Sequence, residues 1–396
     1  MDRINIGILF PSLKGGGVFQ YALSIYYSLI KFSTKYNYYL ISAENFDQLI
    51  NFNPAGVNSI FIPTIKASLT NKIGVIFNLI FNRDIFNTHK SEEISSLKER
   101  KIALLIIPFP SLFGFRNKIP YIVSIPDLMH KYYPSFPEYP LKARLLRDIV
   151  YKNSAKYSVL TIVDSHQGLN DLNRFFNIPK GKIRIIPYIP APYIYEYKDM
   201  DLKTAENILK KYPLPEHFLF YPAQFWYHKN HIRLIQALKN IKQDYKIEIP
   251  LVLVGSPKES YKKIMDFINK SNMSNQIYSL GYVSDIEIVA LYKKAVALVY
   301  PSLFGPTNIP PLEAMVLGTP VLCSNIFSMP EQIGNAGLLF DPFNVEDIAE
   351  KIYQIWTNEN LRNELVQRGY ERVKDMTLEN YAKQWEKIID EAIKML

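Results

Sequence analysis

The chain of 396 residues has a single cysteine, Cys323. An intramolecular disulfide is therefore excluded, a reducing compartment is expected, and the apolar run Val321-Leu322-Cys323 reads as a strand with a buried, inert thiol. Long apolar runs are also lacking: those at 73–81 and 102–109 fall short of the roughly 20 residues needed to cross a bilayer. The opening Met1-Asp2-Arg3-Ile4-Asn5 has neither a basic n-region nor a cleavage site, so a cytoplasmic protein is expected. Internal repeats, low-complexity tracts and coiled-coil heptads are absent, which favours a compact enzyme or binding protein. The net charge of +9 admits anionic partners, but no nucleic-acid-binding motif accompanies it, so nucleic acid is not expected. Gly15-Gly16-Gly17 fails the dinucleotide fingerprint because Gln20 stands where its last glycine belongs, which disfavours a dehydrogenase.

What is present suffices for two cores: 48% of the residues are hydrophobic. Apolar runs at 4–10, 38–42, 102–107, 121–125 and 159–163 alternate with helical patterns, the rhythm of a doubly wound α/β domain. Pro187-Tyr188-Ile189-Pro190-Ala191-Pro192 breaks that rhythm, and a polar stretch follows to Tyr212. The rhythm resumes with strands near 218–222, 251–254, 277–280, 296–300 and 321–323. Thr377 is placed to cap a helix whose Leu378, Tyr381, Trp385, Ile388, Ile389 and Ala392 share one face. The expected fold is α/β: two Rossmann-like doubly wound domains, 1–195 and 196–376, face a cleft, and the helix 377–396 returns to the first.

Two loop-to-helix junctions in the second half carry chemistry. In "YPAQFWYHKNHIRLIQAL", residues 221–238, Lys229 sits at a helix entrance, where unpaired amides and the dipole already favour an anion. His228 beside it is within reach of the same anion. In "YPSLFGPTNIPPLEAM", residues 300–315, a proline-studded turn runs from a buried strand into a helix bearing Glu313. Such loops leave the carboxyl ends of strands, where open α/β sheets bind ligands. The pair His228 and His231 lacks a third metal ligand, and Asp199-Met200-Asp201 reads as the cap of a helix over 201–211. No metal is expected.

Both stretches resemble the donor-nucleotide domain of family 4 retaining glycosyltransferases, which have the GT-B architecture. So do "LVLVGSP", "IYSLGYVSDIEIVALYKKAVALVYPS" and "GNAGLLFDPFNVEDIAEKI". In the first half the likeness lies in the glycine run, "IVSIPDL" and "LTIVDSHQGLNDLNRFFNIPKGKIRIIPYI". The resemblance implies a UDP- or GDP-linked sugar as donor substrate and no other cofactor. Charge building on the departing diphosphate then has to be neutralised by Lys229, amides of the glycine loop at Gly16 and Gly17, and a helix terminus. It also implies that Glu313 accepts from the ribose hydroxyls and that Gly305, Thr307, Asn308 and Ile309 offer amides to sugar and phosphates. Tyr282 and Val283 would border the nucleobase.

The pattern has departures. The first of the family's two glutamates is replaced by Gly305, an arginine by Gln224, and the usual histidine of the first domain by Pro126; Asp127 beside it is placed to take the acceptor's proton, with a structural role as the alternative. These changes bear on which sugar is preferred. "YPLKARLLRDIVYKN", residues 139–153, forms a basic amphipathic helix suited to anionic lipid on the inner face of the plasma membrane, or else a surface helix with a core-facing stripe. The expected function is transfer of a mannose-, glucose- or N-acetylhexosamine-type sugar to a glycan or lipid-linked acceptor in polysaccharide or lipopolysaccharide assembly. A nucleotide-sugar epimerase and a non-catalytic nucleotide-sugar-binding subunit are the alternatives.

Overall fold

The computed structural model describes residues 3–11, 16–42, 58–62 and 91–396. The apolar run at 73–81 and Gly15 lie outside them. The chain divides into two units: one comprises Met1–Pro134, Tyr139–Pro187 and Thr377–Leu396, the other Ser135–Glu138 and Tyr188–Met376. Residues 188–195, which the sequence reading gives to the first domain, thus group with the second.

Among the described residues of the first unit, seven parallel strands are ordered β3-β2-β1-β4-β5-β6-β7. They are β1 (Asn5–Leu9), β2 (Asn37–Ser42), β3 (Asn58–Phe61), β4 (Ile102–Ile107), β5 (Tyr121–Ser124), β6 (Leu160–Val163) and β7 (Ile183–Ile185). Strands buried on both faces by crossover helices must be almost wholly apolar: Ile102–Ile107 is, and in Leu160–Val163 the one exception, Thr161, shares a hydrogen bond with the Ser158 hydroxyl (3.0 Å). The helix Gly17–Phe32 packs on the helix Leu378–Lys394. Thr377 caps the latter by accepting the Asn380 N–H (3.1 Å), and its Tyr381, Trp385, Ile389 and Ala392 are buried. The Ser33 hydroxyl donates to Glu386 (2.5 Å) and Lys35 pairs with Asp390 (2.5 Å), fixing that contact at its edge.

The second unit has six parallel strands in the order β10-β9-β8-β11-β12-β13. They are β8 (Leu219–Pro222), β9 (Leu251–Val254), β10 (Ile277–Ser279), β11 (Ala297–Tyr300), β12 (Val321–Ser324) and β13 (Gly337–Phe340). Leu298 pairs with Phe220 across the β8/β11 seam, and Cys323 is fully buried in β12. Both sheets reverse strand order once, at β1/β4 and at β8/β11. Crevices at such reversals, outside the carboxyl ends of the strands, are where this class of sheet binds ligands. Asp201 caps the helix Leu202–Leu209 by accepting the Thr204 N–H (2.7 Å), the role expected for the Asp-x-Asp stretch.

Candidate functional site

The loops leaving β8 and β11 meet at the strand-order reversal of the second unit. After β8 the chain passes Gln224, makes a short 3-10 turn over Tyr227–Lys229, and enters the helix His231–Tyr245 through Asn230, at a left-handed φ of 62°. The buried Asn230 carboxamide donates to the carbonyls of Pro301 (3.0 Å) and Pro342 (2.8 Å). The Leu303 N–H donates to the His228 carbonyl (2.7 Å), and the Tyr221 hydroxyl to that of Lys229 (2.6 Å). Clamped in this way, Lys229 extends its ammonium to the Tyr300 phenol oxygen (2.7 Å). Lys229 therefore stands in the turn before the helix rather than in the helix itself.

Tyr300, the last residue of β11, escapes sequence reading because it closes an apolar run and looks like core. The available signal was chemical: a buried tyrosine hydroxyl requires a partner. Its hydroxyl donates on to Asn308 Oδ1 (3.1 Å). Asn308 starts the helix Ile309–Val316 and is held at its backbone by Gln332, whose Oε1 accepts the Asn308 N–H (3.0 Å) and whose Nε2 donates to the Asn308 carbonyl (2.7 Å). This corrects the expectation of a free amide at Asn308. Pro310 and Pro311 in the first turn have no N–H to give.

Glu313 points into the core of the second unit and is only 5% exposed. Its Oε2 accepts from the Tyr292 hydroxyl (2.9 Å) and its Oε1 from that of Tyr193 (3.4 Å). Burial nevertheless dominates and pushes the carboxyl up to about 7, the tyrosines and the Ala191 amide opposing it. A carboxylate has about four acceptor positions, so these protein donors fill most of them.

The other expected residues fall in varied places. The His228 N–H and Nδ1 both meet Glu138 Oε1 (3.0 and 2.9 Å), and this pairing outweighs burial to hold the Glu138 carboxyl below its ordinary value. His231 does not join His228: its ring stacks on Phe225 at 4.8 Å, and burial, reinforced by the Lys229 charge, pushes it down to about 3. Gln224 Oε1 accepts from the Trp226 indole (2.9 Å). Tyr282 is 75% exposed while Val283 is buried, so the two face opposite ways. In the first unit Gly16 precedes its helix at φ 84° and Gly17 opens it, both exposed. Asp127 Oδ1 accepts the Met129 N–H (2.9 Å), a local turn bond.

The helix Leu141–Tyr157 buries Tyr151, Ser154 and Ala155 on one side, the core-facing stripe of the alternative reading, and its first two turns are open. Leu141, Leu145 and Leu146 are more than half exposed, whereas Arg147 lies half-buried against the rings of Tyr139 and Tyr151. Among the described residues no helix is long and apolar enough to cross a membrane, and no group of three or more His, Cys, Asp or Glu is placed to hold a metal ion.

A sheet reversal with a lysine at the first loop and a carboxylate behind the second is the arrangement expected of a nucleotide-sugar site. Residues 205–372 match the family of glycosyl transferases group 1. The O-antigen chain mannosyltransferase B of Escherichia coli is 30% identical over 229 residues, which span 58% of this chain and 58% of that relative, less than two thirds of its length. The sucrose-phosphate synthase of Thermosynechococcus elongatus superposes with a TM-score of 0.76 at 18% identity, covering both chains fully. Anabaena HepE in complex with UDP-glucose gives 0.75 at 15% identity over 98% of this chain and 100% of that one. At such identities the likeness is one of fold, and it is the two-sheet GT-B fold expected from the sequence.

Proposed function

We propose that the chain is a metal-independent retaining glycosyltransferase that moves a hexose from a UDP- or GDP-linked sugar to a glycan or lipid-linked acceptor in polysaccharide assembly. The observation that carries this reading is the Lys229 ammonium, held 2.7 Å from Tyr300 at the sheet reversal, beside the start of the helix Ile309–Val316. Breaking the bond between the anomeric carbon and the β-phosphate oxygen puts negative charge on the departing diphosphate. A fixed cation beside a helix start stabilises that charge more than the ground state, which lowers the barrier. Tyr300 holds the ammonium in place for a phosphate oxygen. Glu313, buried among tyrosines, presents its remaining acceptor capacity to the ribose, and Asp127 receives the acceptor's proton. The mannosyltransferase name of the Escherichia coli relative supports mannose as the first sugar to try, and HepE's bound UDP-glucose supports a pyrophosphate-linked donor.

Exposed Leu141, Leu145 and Leu146 beside exposed Lys142 and Lys152 support contact of this helix with an anionic leaflet, from which a lipid-linked acceptor would come. The decisive assay is release of nucleoside diphosphate from a panel of UDP- and GDP-sugars with EDTA present and acceptor supplied. Release that falls steeply in Lys229→Ala is expected. Equal rates for the parent and Lys229→Ala would overturn the reading.

A further inference from the structure

Gly305 and Asn308 compete for one space. Gly305 stands at φ 142°, in the region only glycine enters freely. A Cβ built on it would lie 2.4 Å from Asn308 Nδ2, 2.8 Å from Oδ1 and 2.9 Å from Cγ, all closer than real contacts allow. The Asn308 carboxamide thus fills the place from which any side chain at 305 would start. It is also oriented: Oδ1 accepts from Tyr300, which accepts in turn from Lys229, so the amide stands within two hydrogen bonds of the ammonium. These two bonds, 3.1 and 2.7 Å, keep the amide in the neighbourhood of the ammonium, and the sugar is the part of a nucleotide sugar that follows the β-phosphate.

The opposite end of the amide is poorly served. Nδ2 carries two N–H groups, and the acceptor it meets among the described residues is the Met329 thioether (3.2 Å), a weak one. A sugar hydroxyl would be a better acceptor. The backbone clamp by Gln332, itself held where the Arg372 guanidinium donates to the Gln332 carbonyl (3.0 Å), keeps the amide from swinging away.

Resting on the proposed transferase reading, we infer that the Asn308 side chain is the specificity-determining group for the donor sugar, with Nδ2 donating to a ring hydroxyl, and that Gly305 exists to leave it room. The nucleoside diphosphate contributes nothing to that contact; only the intact sugar nucleotide does. Sites that hydrogen-bond a substrate hydroxyl lose discrimination when the partner is removed.

The test is a calorimetric comparison of nucleoside diphosphate and the corresponding nucleotide sugar on the parent, Asn308→Ala, Gly305→Ala and the double variant, with thermal melting as a check of folding. Asn308→Ala should weaken the sugar nucleotide about ten- to hundredfold while changing nucleoside diphosphate affinity less than about threefold. Gly305→Ala should reproduce that selective loss by displacing the amide; the backbone strain at φ 142° persists in the double variant, but its ratio of nucleotide-sugar to nucleoside diphosphate affinity should match that of Asn308→Ala, because the vacated space accepts the methyl group. Equal weakening of both ligands, unchanged affinity for both, or additive losses of that ratio in the double variant would overturn the inference and leave the transferase reading standing. A parent protein that binds no sugar nucleotide would remove both together.

Discussion

Replacing Glu313 by glutamine should change how stability depends on pH, and the sign follows from its burial. The carboxyl is raised from 4.5 to about 7 in the folded chain. A group whose folded pKa lies above its unfolded value holds extra protons when folded; its contribution is fully present below pH 4.5 and is lost as pH rises through 7. At one pKa unit per 1.36 kcal/mol, the ionised form costs the folded state roughly 3 kcal/mol at pH 8. A glutamine at this position has no proton to lose, so this slope vanishes. Its amide oxygen still accepts from Tyr292, but the side chain meets the Ala191 N–H and the Tyr193 hydroxyl less well, which offsets about 1 kcal/mol of the gain at every pH. Urea unfolding midpoints of the parent and Glu313→Gln should therefore converge or cross near pH 5 and separate in favour of the variant at pH 8. Parallel pH dependences would refute the argument, because they would mean that Glu313 ionises in the fold as readily as in water.

Lys229→Ala should lower turnover by about a hundred- to a thousandfold in the nucleoside diphosphate release assay, with little change in urea stability, since its backbone is clamped independently of its ammonium. Trp385→Ala, which empties a fully buried position on the helix Leu378–Lys394, should cost about 3–5 kcal/mol in urea unfolding of the first unit. Glu138 is held below its ordinary pKa, so the stability it contributes is present above pH 4.5 and lost as pH falls through the folded value; Glu138→Gln should flatten that acid limb. Leu145→Ser with Leu146→Ser should abolish sedimentation with anionic vesicles while leaving activity on a soluble acceptor intact; unchanged sedimentation would sever that helix from lipid binding.

Ten of the thirteen strands among the described residues are legible in the sequence, because a strand covered on both faces has to be almost wholly apolar. The three that are not, β3, β7 and β13, all lie at sheet edges. There the requirement relaxes: β7 is Ile-Arg-Ile, and β13 starts at a glycine. The site follows a similar logic. Lys229 and Glu313 stand out because loop-to-helix junctions carry local signals, proline, glycine and a charged residue at set spacing. Their partners Tyr300, Tyr292, Tyr193 and Gln332, and the Glu138 that engages His228, are single polar tips on apolar or exposed segments, and no periodicity announces where a phenol will point. Asn230 was equally silent, although its carboxamide ties the two loops together.

The helix Leu378–Lys394 belongs to the first unit but is encoded roughly 190 residues after Pro187, where the preceding segment of that unit stops; at 5–20 residues per second a ribosome needs on the order of ten to forty seconds to make that stretch. Throughout that interval the apolar flank of the helix Gly17–Phe32 is without its cover, and near its end, once β13 (Gly337–Phe340) is made, the second sheet can close. The nascent chain therefore passes through a stage with one finished half and one sticky half, when chaperone occupancy should peak, and premature termination upstream of Thr377 should yield aggregates rather than a soluble fragment.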